Sequence, residues 1–293
     1  MNQSAASPAC LYIVGTPLGN LEDITFRAVE LLRRVPVIAC EDTRHSARLL
    51  ARYGIKARLI SCHEHNEQAA AAQVASLLHS GLEVALISDA GTPGISDPGY
   101  RVVSLALEQG LQVVPVPGPS ALTASLCAAG LPTDSFYFAG FVPARQKALE
   151  NLLRELSTLK GSLVFYCPAR RIKAVLPVIR GCLGQRRAAI CRELTKIHEE
   201  FIRGTLTEIE RGLETRETLK GEIVLIVEGR GKSTVESENA GADLAGRLGK
   251  FLDGVAEARA RGARSLTVLA AEELGEKRNR IYPLVCAWLN RLR

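Results

Sequence analysis

Short apolar runs alternate with amphipathic stretches through the first 117 residues. Residues 11–14, 35–40, 58–62, 84–87 and 113–116 read as strands. Residues 23–34, 43–53, 67–79 and 98–109 read as helices between them. In the first of these, Ile24, Ala28, Leu31 and Leu32 recur at helical spacing, and Gly110 ends the last. This alternation predicts a largely parallel sheet with helices on both faces. After Pro117 the texture changes. Helices are predicted at 121–129, 146–158 and up to Ile179, and strands at 136–140, 163–166, 188–193, 198–203 and 223–227. The mixture predicts an α+β domain whose sheet is substantially antiparallel. Residues 231–242 are rich in Gly, Ser and Glu and nearly free of apolar side chains, which predicts a linker. Helices are predicted beyond it at 244–254, 255–261, 265–274 and 278–292. The organisation expected is therefore an α/β domain over 1–117, a second α/β domain over 118–230, a linker over 231–242 and a basic helical domain over 243–293.

Charge sharpens this division. The whole chain of 293 residues carries a formal charge of +6. The first 117 residues hold 9 Lys and Arg against 11 Asp and Glu, and the last 51 hold 10 against 6. The basicity is loaded toward the C-terminus, as a nucleic-acid contact requires. Aromatic residues make up 5%, too few for a broad base-stacking platform. The eight cysteines form no CxxC pair, and Cys10, Cys40 and Cys191 sit in apolar runs, where cysteine acts as a small hydrophobe. Reduced cysteines and a cytoplasmic location are the expectation. Residues 1–9 have neither the basic nor the apolar region of a secretory leader, and no run of 18 apolar residues predicts a membrane span.

Several motifs fail. Gly231-Lys-Ser looks like the end of a Walker loop, but Ile226 stands where the first glycine belongs. No GxGxxG follows the first strand. His63 and His65 have no second half of a metal site elsewhere, so no metal is expected. The features that survive lie at strand ends. SDAGTPGISDPG over 88–99 joins a strand to a helix through twelve residues, long for a loop of this kind. Its glycines allow a ligand to approach the backbone, and open α/β sheets bind ligands at this edge. VPGPSA over 116–121 leads into a helix whose first N–H groups are free to receive an acceptor. A rigid hinge between domains is the blander account of that stretch. In GTPLGNLEDIT over 15–25, Asn20 and Asp23 serve equally well as helix caps, and EDTR over 41–44 as a helix start.

LYIVGTPLGNLEDIT, EDTRHSARLL, HEHNE, SDAGTPGISDPG, VPGPSA and KGEIVLIVEG occur here in that order. Together they resemble the ribosomal RNA small subunit methyltransferase I family of the tetrapyrrole-methylase superfamily, over about residues 10–230 and more weakly beyond. The resemblance implies a class III methyltransferase: two α/β domains flanking a cleft for S-adenosylmethionine (SAM), with a small C-terminal helical domain, usually a homodimer. The reaction implied is 2′-O-methylation of a cytidine in 16S rRNA near the decoding centre. The alternatives are a methylase of tetrapyrrole (precorrin-like) substrates and a SAM- or RNA-binding module without catalysis.

Carried over position by position, the resemblance implies SAM contacts at Pro17, Asp89, Gly91, Thr92, Pro93, Gly94, Ile95, Ser120 and Ala121. On the second domain it implies Tyr166, Leu194, Gly221, Glu222 and Ile223. Where the family commonly has an acid and a histidine, this chain has Cys167 and Arg170, so no general base is placed there. Candidate proton acceptors at predicted strand ends are Glu41, Asp42, His63 and Asp89. Candidate RNA contacts are Arg44 and, in a helix-turn-helix-like stretch, Lys277, Arg278 and Arg280.

Overall fold

The structure is a computed structural model that describes residues 9–231, 234–255 and 261–291. It separates into two compact units, residues 1–230 and 231–293. The first unit holds two five-stranded sheets.

The first sheet contains β1 (Cys10–Val14), β2 (Val37–Cys40), β3 (Arg58–Ser61), β4 (Val84–Ile87) and β5 (Gln112–Val116) in the order β3-β2-β4-β1-β5, all parallel. β2 and β4 are buried at every position because helices cover both faces. The pleat sorts their side chains. Tyr12, Val14, Ile38, Cys40, Ala85 and Ile87 pack against Ala28, Leu31, Leu32 and Leu50 of the helices Phe26–Arg34 and Thr43–Arg52. Leu11, Val37, Ala39, Val84 and Leu86 pack against the helices Glu67–His79 and Tyr100–Glu108. The helix expected from residue 23 begins at Phe26, because the Thr25 hydroxyl accepts the Ala28 N–H and caps it there. A short 3-10 turn, Leu21–Asp23, capped by Asn20, precedes it.

The second sheet contains β6 (Phe136–Phe141), β7 (Ser162–Pro168), β8 (Arg187–Arg192), β9 (Glu200–Thr205) and β10 (Glu222–Val227), ordered β6-β7-β10-β8-β9. Only the β6–β7 pair is parallel. One face carries Leu163, Phe165, Ile190 and Leu225 into a core closed by the helices Gln146–Leu156, Ile172–Leu183 and Leu206–Glu214. The other carries Val164, Tyr166, Cys191 and Val224, and the helix Ala121–Ala129 packs on part of it. Phe165 is wholly buried at the centre of the first of these cores. Phe165→Ala is expected to cost about 3–5 kcal/mol in denaturant unfolding, by loss of apolar contact plus the cavity left behind. A loss under about 1 kcal/mol would mean that this core is loosely packed.

In the second unit the helices Thr234–Gly254, Ala263–Leu274 and Arg278–Arg291 share a core of Leu244, Leu248, Leu252, Leu266, Ala270, Ile281 and Val285. The linker expected over 231–242 is largely helix, since the first of these begins at Thr234. Glutamate and alanine in that stretch favour a helix even without an apolar stripe. The helix expected over 255–261 falls mainly on 256–260, outside the described residues. Gly275, in the left-handed conformation at φ 65°, ends the second helix, and the third starts three residues later. No helix among the described residues is long and apolar enough to cross a membrane.

Candidate active site

Because the strands of the first sheet run parallel, the loops leaving their C-terminal ends gather on one edge. Three of these loops are laced together. Thr16 and Gly91 exchange backbone hydrogen bonds of 2.8 and 3.0 Å, and the Thr16 hydroxyl donates to the Ser88 carbonyl at 3.0 Å. The Thr92 hydroxyl donates to the Pro119 carbonyl at 3.2 Å. Gly15 and Gly118 pass backbone against backbone, so a Cβ on Gly118 would lie 2.8 Å from the Gly15 carbonyl oxygen. Only glycine fits that crossing.

A cavity of about 490 Å³ opens between this edge and the face of the second sheet that bears Tyr166 and Val224. Ile95, Tyr166, Leu194, Ile223 and Val224 give it an apolar wall, and Glu41, Asp89 and Asp97 line its acidic side. Asp89 is oriented by the Asp42 backbone N–H, which donates to its Oδ1 at 3.1 Å. Burial, then the charges of Glu41 and Asp89, push the Asp97 carboxyl up to about 6, although a hydrogen bond from Ser88 pulls the other way. Burial and the nearby Asp89 also raise Glu41. Burial pushes the Tyr166 phenol up to about 12. Ser96, at φ 65°, Glu193, at φ 50°, and Thr195, at φ 65°, hold the left-handed conformation without being glycine. All three lie in loops bordering the cavity, where such strain commonly collects. The 193–199 loop also reaches the loop after β1: the Asn20 N–H donates to the Thr195 hydroxyl at 3.2 Å, and the Lys196 side chain lies over Gly19.

Most of the expected SAM contacts meet at this cavity. Asp89, Gly91, Thr92, Ile95, Ser120 and Ala121 line it from the first sheet's edge, and Tyr166, Leu194, Gly221, Glu222 and Ile223 from the second sheet. Pro17, Pro93 and Gly94 do not line it; they lie in the same loops, the two prolines buried. The four candidate proton acceptors separate. Glu41 and Asp89 line the cavity, whereas Asp42 and His63 do not. The Asp42 carboxylate caps the helix Thr43–Arg52, and the Arg44 N–H it accepts at 2.8 Å holds it below the usual carboxylate range. His63 lies close enough to Glu41 to favour its ionised form. Sequence reasoning passed over Asp97, although it stands in the same loop as Asp89. It also passed over Leu18, Phe141 and Lys196 at the cavity. Among the described residues no group of His, Cys, Asp and Glu is arranged to hold a metal.

The family model for tetrapyrrole (corrin/porphyrin) methylases matches residues 10–210. The methyltransferase CobJ and the cobalt precorrin-4 methyltransferase CbiF share the fold, with TM-scores of 0.58 and 0.53. Their sequences are 19% and 18% identical to this one, over 75% of this chain and 94% and 95% of theirs. Ribosomal RNA small subunit methyltransferase I of Haemophilus influenzae is 41% identical over 283 residues, covering 96% of this chain and 98% of that protein. The protein of the same name from Mesorhizobium japonicum is 49% identical over 218 residues, 74% of each chain.

The chain belongs to the ribosomal RNA small subunit methyltransferase I family. It has the class III methyltransferase architecture, and it is a methyltransferase whose methyl donor is SAM. The cavity of this methyltransferase I member fits that donor. A sulfonium and an ammonium are cations, and the carboxylates of Glu41, Asp89 and Asp97 line one side. A purine needs apolar cover, which Ile95, Tyr166, Leu194 and Ile223 supply.

Proposed function

We propose that the protein transfers a methyl group to the ribose 2′-hydroxyl of a cytidine in 16S rRNA near the decoding centre, acting in the cytoplasm as a homodimer. Methylation of small-subunit rRNA is the activity of its family. The observation that supports methyl transfer at this site is the cavity itself: one side acidic, one apolar, and open at the edge where parallel strands end. When bound, SAM supplies an electrophilic methyl that needs no further activation, which leaves positioning and proton removal to the protein.

The residues that would hold the donor are Asp89, Gly91, Thr92, Ile95, Ser120 and Ala121 on one side. Tyr166, Leu194, Gly221, Glu222 and Ile223 would hold it on the other, with Pro17, Pro93 and Gly94 fixing the loops behind. Asp97 is placed to accept the proton as the 2′-oxygen takes the methyl. Its half-buried carboxyl lines the cavity and titrates at about 6, so it is ionised and still basic at neutral pH. Glu41, raised in the same direction, neighbours it. Lys277 and Arg278 are exposed on the second unit and Arg44 on the first, all available for phosphate. Arg280 follows in the same helix.

Incubation with labelled SAM and undermethylated 30S subunits, followed by nuclease digestion and mass spectrometry, tests this. One 2′-O-methylcytidine in 16S rRNA is the result expected. Label in a porphyrin precursor instead would make the protein a tetrapyrrole methylase, and label in neither would leave a binding module.

A further inference from the structure

The cavity has two cations among its described lining residues, and they differ in what they hold. Lys196 is engaged: its Nζ lies 2.9 Å from Glu193 and 3.1 Å from Glu222. Arg170 lines the same cavity, is exposed, and makes no hydrogen bond or ion pair with the described residues. Its backbone, by contrast, is held on both sides. Arg170 sits in a 3-10 turn, Ala169–Arg171, at the end of β7. The Ala169 N–H donates to the Gly221 carbonyl at 3.0 Å. The Arg171 guanidinium donates to the Val142 carbonyl at 2.8 Å, the Ala144 carbonyl at 3.2 Å and the Pro143 carbonyl between them. A free guanidinium on a fixed backbone is suited to an anion arriving from outside, because little of the chain must be ordered to meet it.

An aromatic side chain lines the same cavity. Phe141 ends β6 and pairs in register with Tyr166, but the register shifts between Phe138 and Phe141. Gly140, at φ 70°, occupies the irregularity. Such bulges redirect a side chain. Phe141 is left 58% exposed while lining the cavity, with its ring edge-on to Tyr166 at 5.4 Å between centroids. An exposed ring at a cavity wall offers a flat apolar face on which a base can stack. The interior already has a place for the donor between Asp89, Tyr166 and Leu194.

We propose that Phe141 and Arg170 form the subsite for the acceptor nucleotide, the ring stacking on a base and the guanidinium holding an adjacent phosphate. The two are positioning residues: they set the ribose against the acidic side of the cavity and leave the methyl donor to others. This rests on the reading that the substrate is RNA. A stacked base and a bidentate phosphate are the chemistry that a planar aromatic and a planar fork of donors recognise.

The test is steady-state methylation of 30S subunits by Arg170→Ala, Arg170→Lys, Phe141→Ala and Phe141→Tyr, with SAM affinity measured by calorimetry. Arg170→Ala is expected to raise KM for 30S about tenfold and to lower the slope of log affinity against log salt by about one. Lysine should restore the salt slope but only part of KM, since it lacks the fork. Phe141→Ala should lose about 5- to 150-fold in kcat/KM, and tyrosine should recover most of it. SAM affinity should be unchanged in all four. An unchanged KM and salt slope in Arg170→Ala would overturn the phosphate contact, and weakened SAM binding would assign the arginine to the donor instead. A wild-type enzyme that labels no rRNA would overturn the RNA reading, whereas active wild type with equally active variants overturns the subsite alone.

Discussion

Asp97→Asn is expected to slow methyl transfer by about 10²- to 10⁴-fold at neutral pH, the range for removing a positioned general base. Single-turnover rates on 30S subunits measure it. The asparagine keeps the shape and cannot take the proton. The wild-type rate should fall as pH drops below about 6, because the donor's positive charge holds Asp97 ionised to lower pH than in the free protein. The variant's residual rate should not show that step. Cation binding shares the dependence. Glu41, Asp89 and Glu222 all raise Asp97, so a bound cation favours its ionised form and affinity for SAM rises with pH across the same interval. From pH 7 to pH 5 a single group at about 6 gives roughly a tenfold loss.

Stability runs the other way. A carboxyl whose folded value lies above its unfolded one binds more protons when folded, so its share of stability falls as pH rises between about 4 and 6. Asp97→Asn should therefore melt higher than wild type at neutral pH in the absence of ligand while losing activity, the trade-off of a destabilised functional group. A variant with full rate would move the proton-accepting role to Glu41.

Gly118→Ala is expected to disable the cleft through one methyl group. The added Cβ meets the Gly15 carbonyl oxygen at 2.8 Å and the Gly15 Cα at 3.0 Å, and both are backbone, so neither can swing aside. The loops after β1 and β5 must part. That strains the Gly15 N–H bond to the Val116 carbonyl, the Thr92–Pro119 bond, and the placing of Ser120 and Ala121 at the cavity. Overpacking of this kind costs about 1–3 kcal/mol, and each kcal/mol lowers Tm by about 2–4 °C in a chain of this size. A comparable penalty on the bound geometry would weaken SAM tenfold for every 1.4 kcal/mol, about 5- to 150-fold over that range. Calorimetric titration with SAM and thermal unfolding measure the two effects. Gly212→Ala, in open space on the helix Leu206–Glu214, is the matched control and should leave both unchanged or slightly improved. Wild-type SAM affinity in Gly118→Ala would mean that the two loops yield without disturbing the cavity.

The first sheet was readable from pattern because β1, β2 and β4 are apolar throughout and its helices carry clear stripes, as in Ala28, Leu31 and Leu32. The helix Leu206–Glu214 escaped notice because its apolar positions, Leu206, Ile209 and Leu213, are spread among charges. Its start was nevertheless written locally: Thr205 and Glu208 form a capping box. The helix Ile172–Leu183 runs four residues past its expected end, to Gly184, whose positive φ of 76° stops it; Gly181 within it meets open space. At the site, loops carried their ligand-binding character in glycine and proline content. Which acids in them face the cavity was not legible. Asp89 and Asp97 share one loop, and only the folded path shows Asp97 half-buried beside Glu41 while Asp42 is committed to a helix cap. Phe141 was equally hidden, since a bulge is a relation between two strands and leaves little trace in either.

The strand order β3-β2-β4-β1-β5 has a consequence for how the chain is made. β1 is the first strand to leave the ribosome, yet its neighbours are β4 and β5, about 70 and 100 residues later. Leu11, Tyr12 and Val14 therefore have no partner strand until residue 87 has been synthesised, and no second one until residue 116. Pairings of such long separation form slowly and leave apolar edges exposed meanwhile. β8 and β9, by contrast, meet across seven intervening residues. β10, the central strand of the second sheet, pairs with β7 and β8 across about 50 and 30 residues and is made last, so that sheet too waits on its final strand. Translation speed and chaperone supply should therefore govern the yield of active enzyme until residue 227 has emerged, since each sheet is completed only by its own last strand.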